Sequence, residues 1–202
     1  MINKEQHSSS FRDPSGYIFI EDNILKRKIF PIYFRQYNKL KNSKFFDKLF
    51  KTGLLIKHKE VSSSDSEIVI QPDQIPFITY PYEWSFNQYK EAALLTLKLQ
   101  KFALENEFSL KDASAFNVTF HNGNAIFIDT LSFDFYKENE PWRAYKQFIT
   151  HFFGPLILAH YHGSEMLKLM GSFIDGIPVK TIASLLPFKT KLNPFLYANI
   201  HL

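Results

Sequence analysis

Leu110-Lys111-Asp112-Ala113-Ser114-Ala115-Phe116-Asn117-Val118-Thr119-Phe120-His121-Asn122-Gly123-Asn124-Ala125-Ile126-Phe127-Ile128-Asp129-Thr130-Leu131-Ser132-Phe133 is the stretch around which the chain is organised. Val118-Thr119-Phe120 and Ala125-Ile126-Phe127-Ile128 are strand-like runs. Asn122-Gly123 between them is a strong short-range signal for a tight hairpin. The hairpin turns Asp129 back toward Asn117, and Asp112 stands five residues before Asn117. Two carboxylates and an amide oxygen can then converge on one small volume. Hard cations such as magnesium take all-oxygen ligation of this kind, often with phosphate oxygens completing the shell. The same residues also serve in plainer roles, as a solvated Asp at a boundary, a turn Asn and a capping Asp.

The spacing resembles the catalytic core of the protein-kinase-like superfamily, where an Asp, four residues and an Asn are followed by a hairpin and a metal-binding Asp. The resemblance implies an α+β, two-lobed fold with a small antiparallel β lobe followed by an α-rich lobe. It implies that Asp112 accepts the proton of a substrate hydroxyl. It also implies that Asn117 and Asp129 hold Mg2+ beside ATP or a related nucleotide. The departures are specific. Leu110 stands where protein kinases have His, Ser114 where they have Lys, and Thr130-Leu131 where they have Phe-Gly. The pattern suits a small-molecule or glycan phosphotransferase, or a degenerate pseudokinase, better than a protein kinase.

Working outward, 202 residues are enough for one domain of two lobes with a sizeable core. The 22 phenylalanines predict an aromatic-rich interior. Cysteine is absent, which excludes disulfides and thiolate metal sites. No apolar run is long enough to span a membrane, and Met1 to Ser10 has no apolar signal core; the expected location is cytoplasmic. The net charge of +4 is unevenly spread: from Lys26 to Lys59 the only acid is Asp47. Such a block attracts phosphate, nucleic acid or anionic lipid, and also serves as a solvated face. Nucleic-acid binding is not favoured, because the nearby Phe34, Phe45, Phe46 and Phe50 have the spacing of a helix core.

In chain order, residues 1–10 are expected to be flexible, 11–79 to form the β-rich lobe with one helix, and 80–202 the helical lobe. Arg12-Asp13-Pro14-Ser15-Gly16 is a turn, and Tyr17 to Phe30 form a hairpin about Asp22-Asn23. No Gly-x-Gly-x-x-Gly is present, so phosphate contact would fall to backbone amides near Gly16 and to Arg12. Lys26, Arg27 and Lys28 are all candidates for the basic phosphate partner, and alternation alone does not choose among them. Pro31 opens a helix expected from Ile32 to about Lys51, capped by Gly53. That helix has no Glu to pair with a phosphate-binding cation, leaving Asp47 or nothing. Gln71 to Trp84, broken by three prolines, reads as an extended connector. In a kinase-like arrangement an adenine lies against it, near Tyr80 and Tyr82. Ser85 with Gln88 is a capping box for a helix expected to reach Asn106, with Leu94 and Leu97 on its apolar face. Leu54 to Val61 and Glu67 to Ile70 are strand runs. Another helix starts at Pro141, is broken or kinked at Gly154-Pro155, and includes His151, a core or surface histidine rather than a zinc ligand.

Phe11-Arg12-Asp13-Pro14-Ser15-Gly16, Tyr80-Pro81-Tyr82-Glu83-Trp84-Ser85-Phe86, Leu110 to Asn117, Ile128 to Phe133 and Pro141 to Phe148 carry a closer resemblance. Together they look like the N-terminal module of a bacterial family of class I S-adenosylmethionine-dependent methyltransferases, some of whose members are labelled nodulation proteins. This implies a kinase-like domain that is normally followed by a methyltransferase domain. With seven scattered glycines and no strand, Gly-rich loop and helix unit, the chain alone is not expected to bind S-adenosylmethionine. The expected partners are a nucleotide and a methyltransferase domain or subunit. The alternatives are a non-catalytic scaffold and a basic anion- or nucleic-acid-binding module.

Overall fold

Alternating apolar residues and two mirror-image turns lay down the sheets. A computed structural model describes residues 4–6 and 13–202. Strands β2 (Gly16–Glu21) and β3 (Ile24–Ile29) pair antiparallel about Asp22-Asn23. Both turn residues have positive φ, 52° and 62°, the backbone that matches the twist of the flanking strands. With β1 (Lys4–Gln6), β4 (His58–Ser63) and β5 (Ile68–Pro72) they form one antiparallel sheet in the order β1-β2-β3-β5-β4. The residues expected to be flexible at 1–3 and 7–10 lie outside the described residues, as do Phe11 and Arg12.

The helix expected over Ile32 to Lys51 is two helices, α1 (Phe34–Asn42) and α2 (Phe45–Thr52). The break is at Lys44, whose φ of 57° no α-helix accommodates. Ser43 closes α1 by donating its hydroxyl to the Leu40 carbonyl. The break lets both helices bury their apolar sides, with Tyr37 and Leu40 from one and Phe45, Phe46 and Leu49 from the other. Gly53 caps α2 in the left-handed region.

The chain divides into two compact units. The first runs to Phe77 and takes in Asp129–Leu131; the second comprises Ile78–Ile128 and Ser132–Leu202. In the second unit the Ser85/Gln88 capping box starts α3 (Phe86–Leu104) as expected. The buried stripe of α3 runs through Tyr89, Ala92, Ala93, Thr96, Leu99, Gln100 and Ala103, the i, i+3, i+4 spacing of one face. Leu94 and Leu97, expected on that face, are exposed instead. Strand β6 (Phe108–Leu110) pairs with β9 (Phe133–Phe135), and between them β7 (Val118–His121) and β8 (Asn124–Phe127) form the Asn122-Gly123 hairpin. Beyond β9, α4 (Tyr145–Phe148) continues through a π-helical segment, Ile149–Phe153, into α5 (Gly154–His162). Gly154-Pro155 therefore does not break the helix; the wider π turn just ahead absorbs the missing proline amide. A later helix, α6 (Val179–Leu185), packs its Ile182 into the core. The class is α+β: a small antiparallel unit is followed in the chain by a helix-rich one. Among the described residues no helix is long and apolar enough to cross a membrane.

Candidate functional site

The first unit gathers its charge at Arg27, the third residue from the end of β3. Arg27 is only 8% exposed, and its guanidinium donates to two carboxylates far apart in sequence. One amino group reaches Asp13 Oδ2 at 2.8 Å and the other reaches Asp129 Oδ1. Its Nε is buried with no hydrogen-bond partner. Asp129 Oδ1 also accepts from the Leu131 amide at 3.1 Å. Asp13 belongs to the turn before β2, where its Oδ1 accepts from the Ser15 amide at 2.8 Å. That turn lies hard against β3: a Cβ on Gly16 would sit 2.0 Å from the Lys28 carbonyl oxygen, so only glycine lets the two strands meet there. Beside this cluster, His58 stands 3.4 Å from the Thr130 hydroxyl with Phe46 and Phe50 edge-on at 5.0 Å. Burial, helped by the charge of Arg27 and opposed by Glu60, lowers its pKa to about 4.

In the second unit the loop after β6 is built from side chains that cap their own backbone. Asp112 Oδ1 accepts from the Ser114 amide at 2.9 Å, and Ser114 Oγ accepts from the Phe116 amide at 3.2 Å. Asn117 closes the loop. Its carbonyl accepts from the Ile128 amide at 2.8 Å across the hairpin, and its Nδ2 donates to Ser132 Oγ at 3.3 Å. The Lys111 amide donates to the Ser132 carbonyl at 2.8 Å, so both ends of the loop are fastened to the same residue.

Two side chains of the α4 and π-helical segment, the half-buried Gln147 and the buried His151, hold the loop. Gln147 Oε1 accepts from the Ala113 amide at 2.7 Å, and His151 Nδ1 accepts from the Ala115 amide at 3.4 Å. An amide only donates, so His151 is neutral at Nδ1 and carries its proton on Nε2. Burial lowers its pKa to about 4, against an opposing hydrogen bond to the Asp175 backbone. The imidazole is packed tightly: the Tyr89 hydroxyl donates to the His151 carbonyl at 2.5 Å, and a Cβ on Gly176 would sit 2.8 Å from the ring.

The structure distributes the residues expected at the site as follows. Asp112 and Asn117 share the loop of the second unit, and Asp129 belongs to the first. Of the three neighbouring cations, Lys26 pairs with Glu21 at 2.6 Å and Lys28 pairs with Glu67, while Arg27 takes Asp129. Asp47 is exposed on the first turn of α2, and the acids that meet the cation are Asp13 and Asp129. Gly16 sits in the turn that carries Asp13. Tyr80 caps the 3-10 turn Pro81–Glu83 and Tyr82 lies within it, their rings stacked at 5.6 Å and 11°, with Phe116 next to Tyr80. A cleft of about 270 Å³ in the second unit is lined by Leu104, Lys111, Tyr136, Trp142 and Arg143. Among the described residues, no group of three or more His, Asp or Glu gathers as a metal site. A divalent ion at Asp129 would share the carboxylate with the Arg27 guanidinium, whose like charge opposes it while the ion pair stands. Sequence reasoning missed Gln147 and His151 as supports of the loop; their i, i+4 spacing was the available signal.

No family model matches the chain. It is 32% identical over 203 residues to nodulation protein NoeA of Rhizobium meliloti (strain 1021), an alignment covering 96% of this chain and 42% of that protein. Among solved structures it is similar to vaccinia related kinase 3, with a TM-score of 0.48, 12% identity and coverage of 96% of this chain and 86% of that one. A second similar structure is the Cydia pomonella granulovirus kinase PK-1, with a TM-score of 0.45, 11% identity and coverage of 65% and 55%. In sequence the chain is thus similar to a nodulation protein across nearly its whole length, and it spans less than half the length of that relative.

Proposed function

We propose that this chain is a kinase-like domain that binds a phosphorylated ligand of the nucleotide type, with Arg27 as the fixed cation that meets the phosphate. The observation carrying this reading is the Arg27–Asp129 pair. In protein kinases the phosphate-binding cation lies on the third strand and the metal-binding acid follows the hairpin after the catalytic loop. Arg27 and Asp129 hold those two places in the order of elements. In this reading Asp112 is the group that would accept a hydroxyl proton, and hydrogen bonds to the side chains of Gln147 and of Asp112 itself position its loop. Magnesium, expected from the sequence at Asn117 and Asp129, belongs to the same reading and is a variable in its test. Calorimetric titration of the chain with ADP and ATP, with and without Mg2+, should give saturable binding that Arg27→Ala abolishes. Absence of binding by the wild type would sink the proposal.

A second reading, a pseudokinase scaffold, is favoured by a different observation. The helices after β3 have no Glu between Pro31 and Gly53, and the chain spans 42% of its longer relative. Here the domain positions a further domain, of the methyltransferase type that the sequence resemblance suggests, and performs no transfer itself. It predicts nucleotide binding without turnover of ATP and a stable complex with the remainder of the longer relative. Measurable phosphoryl transfer lost in Asp112→Asn would decide for the enzyme.

A further inference from the structure

We propose that the Asp13 carboxylate is an internal stand-in for the phosphoryl group of the ligand, and that a phosphorylated ligand binds by displacing it from Arg27. This rests on the phosphate-binding reading above and concerns the regulation of that same site.

One carboxylate occupies the donors that a phosphate would use. Asp13 Oδ2 takes the Arg27 guanidinium and its Oδ1 takes the Ser15 amide. A guanidinium fork and a backbone amide in a tight turn are the donors that recur in phosphate sites, and carboxylate and phosphate are interchangeable partners for such a fork. Occupancy makes the displacement necessary. Arg27 gives one amino group to each of two carboxylates. A phosphate entering with both acids in place would find both amino groups of the guanidinium taken by carboxylates of its own charge sign. One acid must give way, and the two differ. The Asp129 side chain is 17% exposed, and its Oδ1 is also fixed by the Leu131 amide. The Asp13 side chain is 31% exposed and rides on a turn. That turn has other supports: the Phe30 amide donates to the Ser15 carbonyl at 2.8 Å, and Gly16 pairs with Ile29 in the ladder. Asp13 can therefore rotate away while the turn stays on the sheet, exposing Arg27 and the Ser15 amide together.

The test is calorimetric titration of ADP and of inorganic pyrophosphate, in buffer freed of divalent metal, into wild type, Asp13→Asn and Glu21→Gln. Glu21 is an acid of the same sheet paired with Lys26, and its variant reports the effect of removing a charge nearby. A released charge-assisted contact predicts roughly tenfold tighter binding of both ligands to Asp13→Asn, with Glu21→Gln unchanged. Asp13→Ser, which keeps a short oxygen for the turn, should show the same gain. If the wild type binds and neither Asp13 variant binds more tightly, the stand-in is overturned and the phosphate-binding reading survives. An equal gain in Glu21→Gln also overturns it, since bulk charge then explains the effect. No binding by any of the proteins overturns both. Loss of folding in both Asp13 variants overturns the claim that the turn holds without its ion pair.

Discussion

His151 accepts the Ala115 amide on its Nδ1 at 3.4 Å, tying the π-helical segment to the loop that begins at Asp112. A neutral imidazole is required for this bond, because protonation of Nδ1 would set two donors against each other.

Acid should therefore weaken the fold. His58 and His151 both have pKa values lowered by burial from 6.5 to about 4. Between those values the unfolded chain binds the protons and the folded chain refuses them, so stability is fully present above about pH 6.5 and falls as the pH drops toward 4. Each histidine accounts for on the order of 3 kcal/mol across that window. Urea unfolding at several pH values should show midpoints rising from pH 4 to 6.5, and His151→Gln should flatten the rise. A profile unchanged by that substitution would refute the assignment.

Gln147 is the second support of the loop. Replacing it with Leu leaves the Ala113 amide without its acceptor, at a cost of about 1–3 kcal/mol. Gln147→Glu keeps an acceptor oxygen and should recover part of the loss. The comparison is made by denaturant midpoints at neutral pH.

Arg27→Met should be among the most damaging substitutions in the first unit. It takes away the guanidinium that Asp13 and Asp129 share, and removing one partner of a buried pair costs about 3 kcal/mol. Adding Asp13→Asn and Asp129→Asn to Arg27→Met removes the repulsion between the two acids and should restore much of the melting temperature. If the triple variant melts below the single one, charge is not the cause.

Gly16→Ala and Gly123→Ala separate crowding from backbone strain. At Gly123 nothing lies within 4 Å of an added Cβ, so the loss is confined to the strain of its φ of 78°, about 1 kcal/mol. At Gly16 the Cβ meets the Lys28 carbonyl at 2.0 Å, and the turn must part from β3. Gly16→Ala should lower the melting temperature well beyond Gly123→Ala.

The local features were legible because local chemistry decides them. The Asn122-Gly123 and Asp22-Asn23 turns require positive φ, and the Ser85/Gln88 box satisfies helix amides within one turn. The choice of Arg27 over Lys26 and Lys28 was not legible. It depends on a partner 102 residues away, and period-two alternation cannot rank three adjacent cations. Gln147 and His151 escaped for the same reason, since the amides they hold lie 34 and 36 residues earlier. The helix break at Lys44 carried no Gly or Pro to announce it. Strand β6, three residues long, lacked the length for a period to show.

Because Asp129–Leu131 belong with the sheet, the first unit is not one continuous stretch of chain. A ribosome delivers the five strands long before it delivers that short return segment. Until then Arg27 must wait with Asp13 as its one acid, and the nascent sheet is held by an incomplete charge cluster. Expression of residues 1–77 alone would reproduce that waiting state permanently, and a cut after Phe77 would rob the first unit of its return segment while the second kept all of its residues.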